Sequence, residues 1–108
     1  MTWPATAEAL LAEQDALGRV TPDLWTLPPR ASAIGGCFVC FPRGEHGPGR
    51  QGDAGWAAAV VLHEGEPVGR AVVGGVAGAP YEPGLLALRE GALLEAAVRA
   101  VGLSLIHI

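Results

Sequence analysis

The chain has 108 residues, of which half are hydrophobic and 17% are charged, so it is one small folded domain, or part of a larger one, and not a disordered tail. Its apolar runs are too short to cross a bilayer, and its first residues lack the basic start and apolar stretch of a secretory signal, so we expect a cytoplasmic protein without membrane contact. The net charge is −4 and all seven basic residues are arginines, which argues against nucleic-acid binding, because domains that bind nucleic acid usually carry a basic patch. Any phosphate contact would therefore come from a local arginine or from a metal ion.

The first predicted element is a helix over Ala5–Leu17. Thr6 is a suitable N-cap, the following residues are good helix formers, and Gly18 provides the stop. Three leucines are expected to form its apolar face, namely Leu10, Leu11 and Leu17. The segment Thr21–Pro29 carries three prolines and is expected to run as an extended connector into the first strand.

Three strands are predicted within Ile34–Val76. They are Ile34–Phe41, Trp56–His63 and Pro67–Val76. Glu64-Gly65 lies between the last two and suits a hairpin turn. The second and third strands are apolar on both faces, and such strands normally lie in the middle of a sheet that helices cover on each side. The pattern therefore predicts an α/β sandwich.

Cys37 and Cys40 form a C-x-x-C motif within the first of these strands. A spacing of three places the two thiols on opposite faces of a strand, which does not suit a shared metal ion. A zinc site would also need a second pair of ligands, and the histidines are scattered, at His46, His63 and His107. We therefore interpret the cysteines as small, buried apolar residues.

A second helix is predicted over Gly84–Val101, which is rich in Leu, Ala, Arg and Glu. The apolar positions with helical spacing, which should face the sheet, are Leu86, Leu93, Leu94 and Ala97. Glu90 lies four residues after Leu86 and shares that face, where a carboxylate is costly unless a cation meets it. The remaining residues, Gly102–Ile108, resemble the start of another strand and are interpreted as a truncated or foreign tail.

The segment from Pro80 to Glu90 reads Pro-Tyr-Glu-Pro-Gly-Leu-Leu-Ala-Leu-Arg-Glu. It resembles the Pro-Tyr-x-Pro-Gly-x-Leu-x-x-Arg-Glu signature of the endonuclease V family, nucleases that recognise inosine and other deaminated bases. The upstream order of strands agrees as well, so the resemblance extends over about Ala5 to Val101. It implies a ribonuclease H-like α/β fold, a mixed sheet flanked by helices, of which this chain would be the N-terminal and incomplete part.

The resemblance also implies Mg²⁺-dependent hydrolysis of phosphodiester bonds in DNA or RNA that contains deaminated bases, with Mn²⁺ as an alternative ion. The residues that would contact the nucleic acid form one turn, Pro80, Tyr81, Pro83 and Gly84. The prolines fix φ and would hold the tyrosine ring outward at low entropic cost, where it replaces the stacking lost when a base leaves the duplex. From the residues alone, the alternative is a tyrosine packed at a helix entrance.

By the same resemblance, Glu90 is the metal-binding and catalytic glutamate, because hard oxygen ligands suit Mg²⁺. The alternative is an ion pair between Glu90 and one of three arginines, Arg70, Arg89 or Arg99. Arg89 itself is interpreted as a structural ion-pair partner.

The chain departs from the family pattern in the first strand, where Phe38 replaces the metal-binding aspartate of a Gly-x-Asp-x-Ser type arrangement. Phenylalanine cannot coordinate Mg²⁺. The family has a second aspartate, a lysine and a histidine, and all three would fall beyond Ile108. Asp53 is considered as a replacement metal ligand, but its spacing in the sequence does not support that role. We therefore expect the isolated chain to be inactive. Two other functions stay open, a catalytically dead nucleic-acid-binding module and a protein-interaction domain that uses an exposed sheet edge.

Overall fold

A computed structural model describes residues 3–27, 33–42 and 49–105, apart from the side chains of Ser104 and Leu105. The elements in chain order are α1 (Ala7–Gly18), β1 (Ala33–Cys40), β2 (Ala54–His63), β3 (Glu66–Val76) and α2 (Leu86–Leu105). Within these residues the strands form one antiparallel sheet in the order β1-β2-β3, and α2 packs across one of its faces. The predicted α/β class is confirmed at this level.

Helix α1 begins after Thr6, two residues later than predicted. The backbone of Thr6 is extended, and its Oγ1 accepts a hydrogen bond from the N–H three residues on at 3.1 Å, so the predicted cap is confirmed. Leu10 is buried, whereas Leu11 and Leu17 are exposed, so the predicted apolar face is wrong for two of its three members. Among the described elements α1 packs on α2 alone, which leaves its other sides open to solvent.

The turn between β2 and β3 is formed by Glu64 and Gly65, whose φ angles are 51° and 82°. Two consecutive left-handed residues are the geometry of a type I′ turn, whose twist matches that of the flanking strands. The predicted hairpin is therefore confirmed. The register shifts between Val61 and Leu62, where a β-bulge increases the local twist.

The covered face of the sheet is built from small side chains. Ala57 and Ala59 of β2 are 1% and 5% exposed. The stripe of α2 that they meet consists of Leu93, Ala97 and Val101. Small residues let the helix approach closely, as Gly75 of β3 illustrates, because a Cβ atom there would lie 2.8 Å from Leu93 Cδ1.

The opposite face of the sheet is open within the described part of the chain. Strand alternation places Phe38, Trp56, Val72 and Val76 there, and their exposed fractions are 69%, 48%, 70% and 63%. The prediction that helices cover both faces is therefore wrong for these residues. The physical reason is that α2 packs on the alanine-rich face, while α1 packs on α2 and not on the sheet.

The predicted inward face of α2 is confirmed for Leu93 and Ala97, which are buried, and for Leu94, which packs against the core. The buried stripe also includes Arg89, which is 6% exposed. Leu86, which the sequence placed inward, is 37% exposed, and Glu90 is half-buried beside the stripe. An arginine tolerates this position because its partners, described below, satisfy it.

Helix α2 is also longer than predicted, because it continues to Leu105. The strand start predicted within Gly102–Ile108 is therefore wrong as far as Leu105, and residues 106–108 lie outside the described part. No proline interrupts this segment, and Val101, buried against the sheet, anchors the turns around it. Neither described helix has the length and hydropathy that crossing a membrane requires.

Cys37 and Cys40 are free, exposed thiols, so the prediction that they are buried is wrong. They lie on β1, which pairs on one side only in the described sheet. The register confirms that they point to opposite faces, because Cys37 pairs with Ala59 and Cys40 with Trp56. In the described ranges no group of three or more His, Cys, Asp or Glu residues is placed to hold a metal ion, and His46 and His107 lie outside those ranges.

Candidate functional site

The side chain of Arg89 is the centre of a cluster beneath the loop that follows β3. Nη1 donates to the carbonyl oxygens of Arg50 and Ala79 at 3.1 and 3.0 Å, and Nη2 donates to Asp53 Oδ2 at 3.1 Å. Cζ lies 4.2 Å from the centroid of the Phe41 ring. One buried cation therefore joins the residue after β1, the segment before β2 and the loop after β3, which agrees with the predicted structural role of Arg89 as an ion-pair partner.

Asp53 is the anionic partner in this cluster. Its Oδ2 also accepts the backbone N–H of Arg50 at 2.7 Å. That hydrogen bond first, and then the one from Arg89, lowers the pKa of Asp53 below its ordinary value. The carboxylate closes the 50–53 turn and holds Arg89, so the structure gives it a role other than the substitute metal ligand considered from the sequence.

The backbone of Tyr81 is held by a hydrogen bond, while its side chain is exposed to solvent. Its N–H donates to the carbonyl oxygen of Gly49 at 2.8 Å, and the residue is 51% exposed. The N–H of Gly78 donates to the carbonyl oxygen of Arg89 at 2.9 Å, which anchors the preceding part of the loop. A Cβ atom at Gly49 would overlap the Arg89 guanidinium, so this close approach requires glycine. The half-exposed ring differs from the alternative of a tyrosine packed into the helix entrance.

The rest of the motif forms the turn that leads into α2. The carbonyl oxygen of Glu82 accepts the N–H of Leu85 at 3.0 Å, and Gly84 has a φ of 86°. Proline followed by a left-handed glycine is the arrangement of a type II turn. Pro80 and Pro83 are exposed, and Gln14 Nε2 of α1 donates to the carbonyl oxygen of Gly84 at 2.9 Å. These residues therefore shape and brace the turn and do not fill the core.

Glu90 lies on the side of α2 next to β1. Helical spacing aligns it with Leu94 and Val101. Farther along this side, Val98 and Val101 line a groove together with three residues of β1, which are Gly35, Gly36 and Cys37. Glu90 as a residue is half-buried.

Of the three arginines considered as partners of Glu90, two pair with other carboxylates and the third lies on the opposite face of the sheet. Arg89 pairs with Asp53 at 3.1 Å, and Arg99 pairs with Glu95 at 3.0 Å. Arg70 lies on the open face of the sheet, opposite Val60 in the register. The alternative of a structural ion pair at Glu90 is therefore not supported by the described contacts.

Phe38 and Glu90 are not brought together. Phe38 pairs with Ala58 and lies on the open face, whereas α2 covers the other face. The residues of β1 whose positions alternate toward the helix are Cys37 and Val39. Position 38, where the resemblance expects an aspartate, therefore does not share a pocket with Glu90 in this structure.

Trp3 is a site neighbour that the sequence analysis missed. Its indole N–H donates to the carboxylate of Glu95, and a Cβ atom at Gly91 would lie 2.7 Å from the indole ring. The Trp3 hydrogen bond first, and then the Arg99 bond, lowers the pKa of Glu95. Glycine in the middle of a helix costs helix stability, so Gly91 was the available signal that another group approaches α2 closely.

Among solved structures, the chain is similar to the crystal structure of endonuclease V from Streptomyces avermitilis, with 40% sequence identity and a TM-score of 0.69. The match covers 91% of this chain and 41% of that chain, so the present chain spans less than half of that protein. Protein-family models and curated proteins give no match. The structural match confirms the resemblance to the endonuclease V family that the Pro80–Glu90 motif indicated.

Proposed function

Because the chain resembles endonuclease V in its motif and in its fold, we propose that it is the nucleic-acid-binding part of a nuclease that acts on inosine-containing DNA or RNA. In the complete protein, further strands would extend the antiparallel sheet into a mixed, ribonuclease H-like sheet flanked by helices. Two features support this extension: β1 pairs on one side only among the described strands, and one face of the sheet is open.

The Tyr81 ring carries the proposal. It is half-exposed on a loop whose backbone is hydrogen-bonded to Gly49, and the adjoining residues are held by Arg89. A ring on a fixed backbone loses little conformational entropy on binding. Stacking between a base and an aromatic ring contributes about 1–3 kcal/mol, so such a ring can support a nucleic-acid contact in a chain with few cations.

The described residues do not fit a Mg²⁺ or Mn²⁺ site on their own. Glu90 is a suitable oxygen donor, but Phe38 has no donor atom and Asp53 is held by Arg89. We assign no hydrolytic step to the 108 residues and propose that they are inactive alone. Hydrolysis is proposed for a longer protein that supplies the other ligands, with Glu90 as one of them.

A catalytically dead binding module is the second candidate, favoured by Phe38 and by its separation from Glu90. In that case nucleic-acid binding needs no metal ion. A protein-interaction domain is the third, favoured by the open apolar face, and its function would not depend on Tyr81.

The test is to measure binding and cleavage of labelled oligonucleotides that carry one inosine, beside matched strands with guanosine, in Mg²⁺ and in EDTA. We expect tighter binding to the inosine strand in both buffers and no cleavage by this chain. Equal binding to both strands would exclude recognition of the deaminated base, and binding that EDTA abolishes would exclude the metal-free module. If the chain binds neither strand, the protein-interaction domain remains as the candidate function.

A further inference from the structure

Arg50 lies next to the loop that carries Tyr81, and a backbone hydrogen bond holds the two segments together. Gly49, its chain neighbour, accepts the N–H of Tyr81 at 2.8 Å. The backbone of Arg50 is held on both sides, because its N–H donates to Asp53 at 2.7 Å and its carbonyl oxygen accepts from Arg89 at 3.1 Å. The Arg50 side chain is exposed. A solvated guanidinium is therefore carried on a backbone whose position relative to Tyr81 is set by hydrogen bonds.

The other described arginines differ from Arg50 in their partners or in their place. Arg19, Arg89 and Arg99 form ion pairs with carboxylates at 2.8, 3.1 and 3.0 Å. No carboxylate of the described residues forms an ion pair with Arg50 or Arg70. Arg70 lies on the open face of the sheet, while Arg50 lies beside Tyr81. Arg50 is thus the described arginine that combines exposure with this position.

We propose that Arg50 binds a backbone phosphate of the nucleic acid strand whose base stacks on Tyr81. This inference rests on the proposed function and adds the residue that supplies its electrostatic contact. The chain has a net charge of −4 and no lysine, so a phosphate contact depends on an individual arginine and not on a basic surface. A guanidinium donates two parallel hydrogen bonds to a phosphate, which gives orientation as well as charge.

The cluster around Arg89 holds the backbone of Arg50 and not its side chain. Asp53 accepts the backbone N–H of Arg50, and the ion pairs of the described residues do not include the Arg50 guanidinium. Because Asp53 and Arg89 hold only the N–H and the carbonyl oxygen of Arg50, the side chain can be changed without losing the loop. A phosphate bound by Arg50 would then lie near the stacking residue, because hydrogen bonds hold the backbones of these two segments together.

The experiment measures how the affinity for a single-stranded, inosine-containing oligonucleotide depends on salt, for the 108-residue chain and for Arg50→Gln. Each phosphate contact contributes about 0.7 to the slope of log affinity against log salt for single strands. We expect Arg50→Gln to reduce the slope by about that amount and to weaken inosine and guanosine strands equally, because a phosphate contact does not read the base. Arg50→Lys should keep the slope and lose part of the affinity, because it keeps the charge and loses the fork.

Arg70→Gln is the matched control, since it removes the same charge from the open face of the sheet. If the salt dependence of affinity is the same for Arg50→Gln as for the unchanged chain, the inference is overturned while nucleic-acid binding stands. The inference is also overturned if Arg70→Gln reduces the salt dependence as much as Arg50→Gln does. No binding by the unchanged chain would overturn the proposed function together with the inference. Thermal unfolding of both variants checks the fold, and Arg50→Glu provides a second variant, which should weaken binding more than Arg50→Gln.

Discussion

Nη2 of Arg89 lies 3.1 Å from Oδ2 of Asp53, and this ion pair joins the first half of α2 to the turn before β2. The arginine side chain is 5% exposed and the aspartate side chain 39%, so the cation is buried and the anion stays at the surface. The stability of the loop that carries Tyr81 therefore depends on a cation that solvent does not reach.

Replacing Arg89 by Met should destabilise the fold. The variant keeps much of the side-chain volume but leaves the carbonyl oxygens of Arg50 and Ala79 without their donor, and we expect a loss of about 2–4 kcal/mol in the free energy of unfolding. Urea unfolding measures it. Arg99→Met is the control, because that arginine is exposed and its ion pair should contribute much less. Equal losses in the two variants would contradict the structural role of Arg89.

The pH dependence of stability should include a contribution from Asp53. Its pKa is lowered in the fold, so the unfolded chain takes up the proton first as pH falls. The stabilisation is complete above the unfolded value of about 3.9 and is lost as pH falls through the lowered folded value. Urea unfolding of the chain and of Asp53→Asn should therefore differ most near neutral pH, and the difference should shrink as pH falls through the lowered folded value. A difference that is constant with pH would contradict the carboxylate's part in the cluster.

Two glycines should respond to alanine with opposite signs. A Cβ atom at Gly78 would lie 2.6 Å from the carbonyl oxygen of Leu88, a backbone atom that cannot turn aside, so Gly78→Ala should cost about 1–3 kcal/mol. Gly102 lies in α2, and apart from its own helix no atom of the described residues lies within 4 Å of such a Cβ, so Gly102→Ala should stabilise by about 0.5–1 kcal/mol. Thermal unfolding of both variants provides the comparison, and the same sign in both would be incompatible with this loop-to-helix contact.

Removing the Tyr81 ring should weaken nucleic-acid binding and leave the fold intact. The ring is half-exposed and the backbone N–H makes the structural contact, so Tyr81→Ala should unfold at nearly the temperature of the unchanged chain. Loss of stacking corresponds to about 1–3 kcal/mol, or about 5- to 150-fold in affinity. Tyr81→Phe should bind almost normally because it keeps the ring. Fluorescence anisotropy with a labelled strand measures the affinity of all three proteins. Unchanged affinity in Tyr81→Ala would contradict the proposed stacking contact.

Restoring an aspartate at position 38 should not create a nuclease. Phe38 is 69% exposed on the open face, so Phe38→Asp is expected to fold and to expose less apolar surface. Its carboxylate would lie on the face opposite α2 and apart from Glu90. Cleavage of inosine-containing strands in Mg²⁺ should stay at background for both proteins. Metal-dependent cleavage by Phe38→Asp would show that the two positions do meet.

Local signals in the sequence were sufficient for much of this fold. Gly65 between two apolar strands predicted the hairpin because a type I′ turn needs a residue that tolerates positive φ, and Thr6 predicted the start of α1 because its hydroxyl caps the helix. The burial of Arg89 on the inward face of α2 was not predictable in the same way. Periodicity identified Leu93 and Ala97 on that face, but burial of Arg89 depends on carbonyl groups that only the folded chain brings near it.

For the candidate site, too, features formed by adjacent residues were predictable and features formed by distant segments were not. The motif identified the exposed Tyr81 and its turn, since those residues are adjacent in the chain. Its relation to Arg50 and Asp53 was not predictable, because it depends on hydrogen bonds between segments that are far apart in sequence. The separation of Phe38 from Glu90 likewise depends on which face of the sheet α2 covers.

The open apolar face has a practical consequence for any solution study of this chain. Sulfate salts strengthen association between apolar surfaces, whereas added ions weaken contacts to phosphate. Self-association through Phe38, Trp56 and Val72 and capture of an oligonucleotide beside Tyr81 should therefore respond to ammonium sulfate in opposite directions. A single titration, followed by light scattering and by anisotropy together, distinguishes the two surfaces of this small molecule.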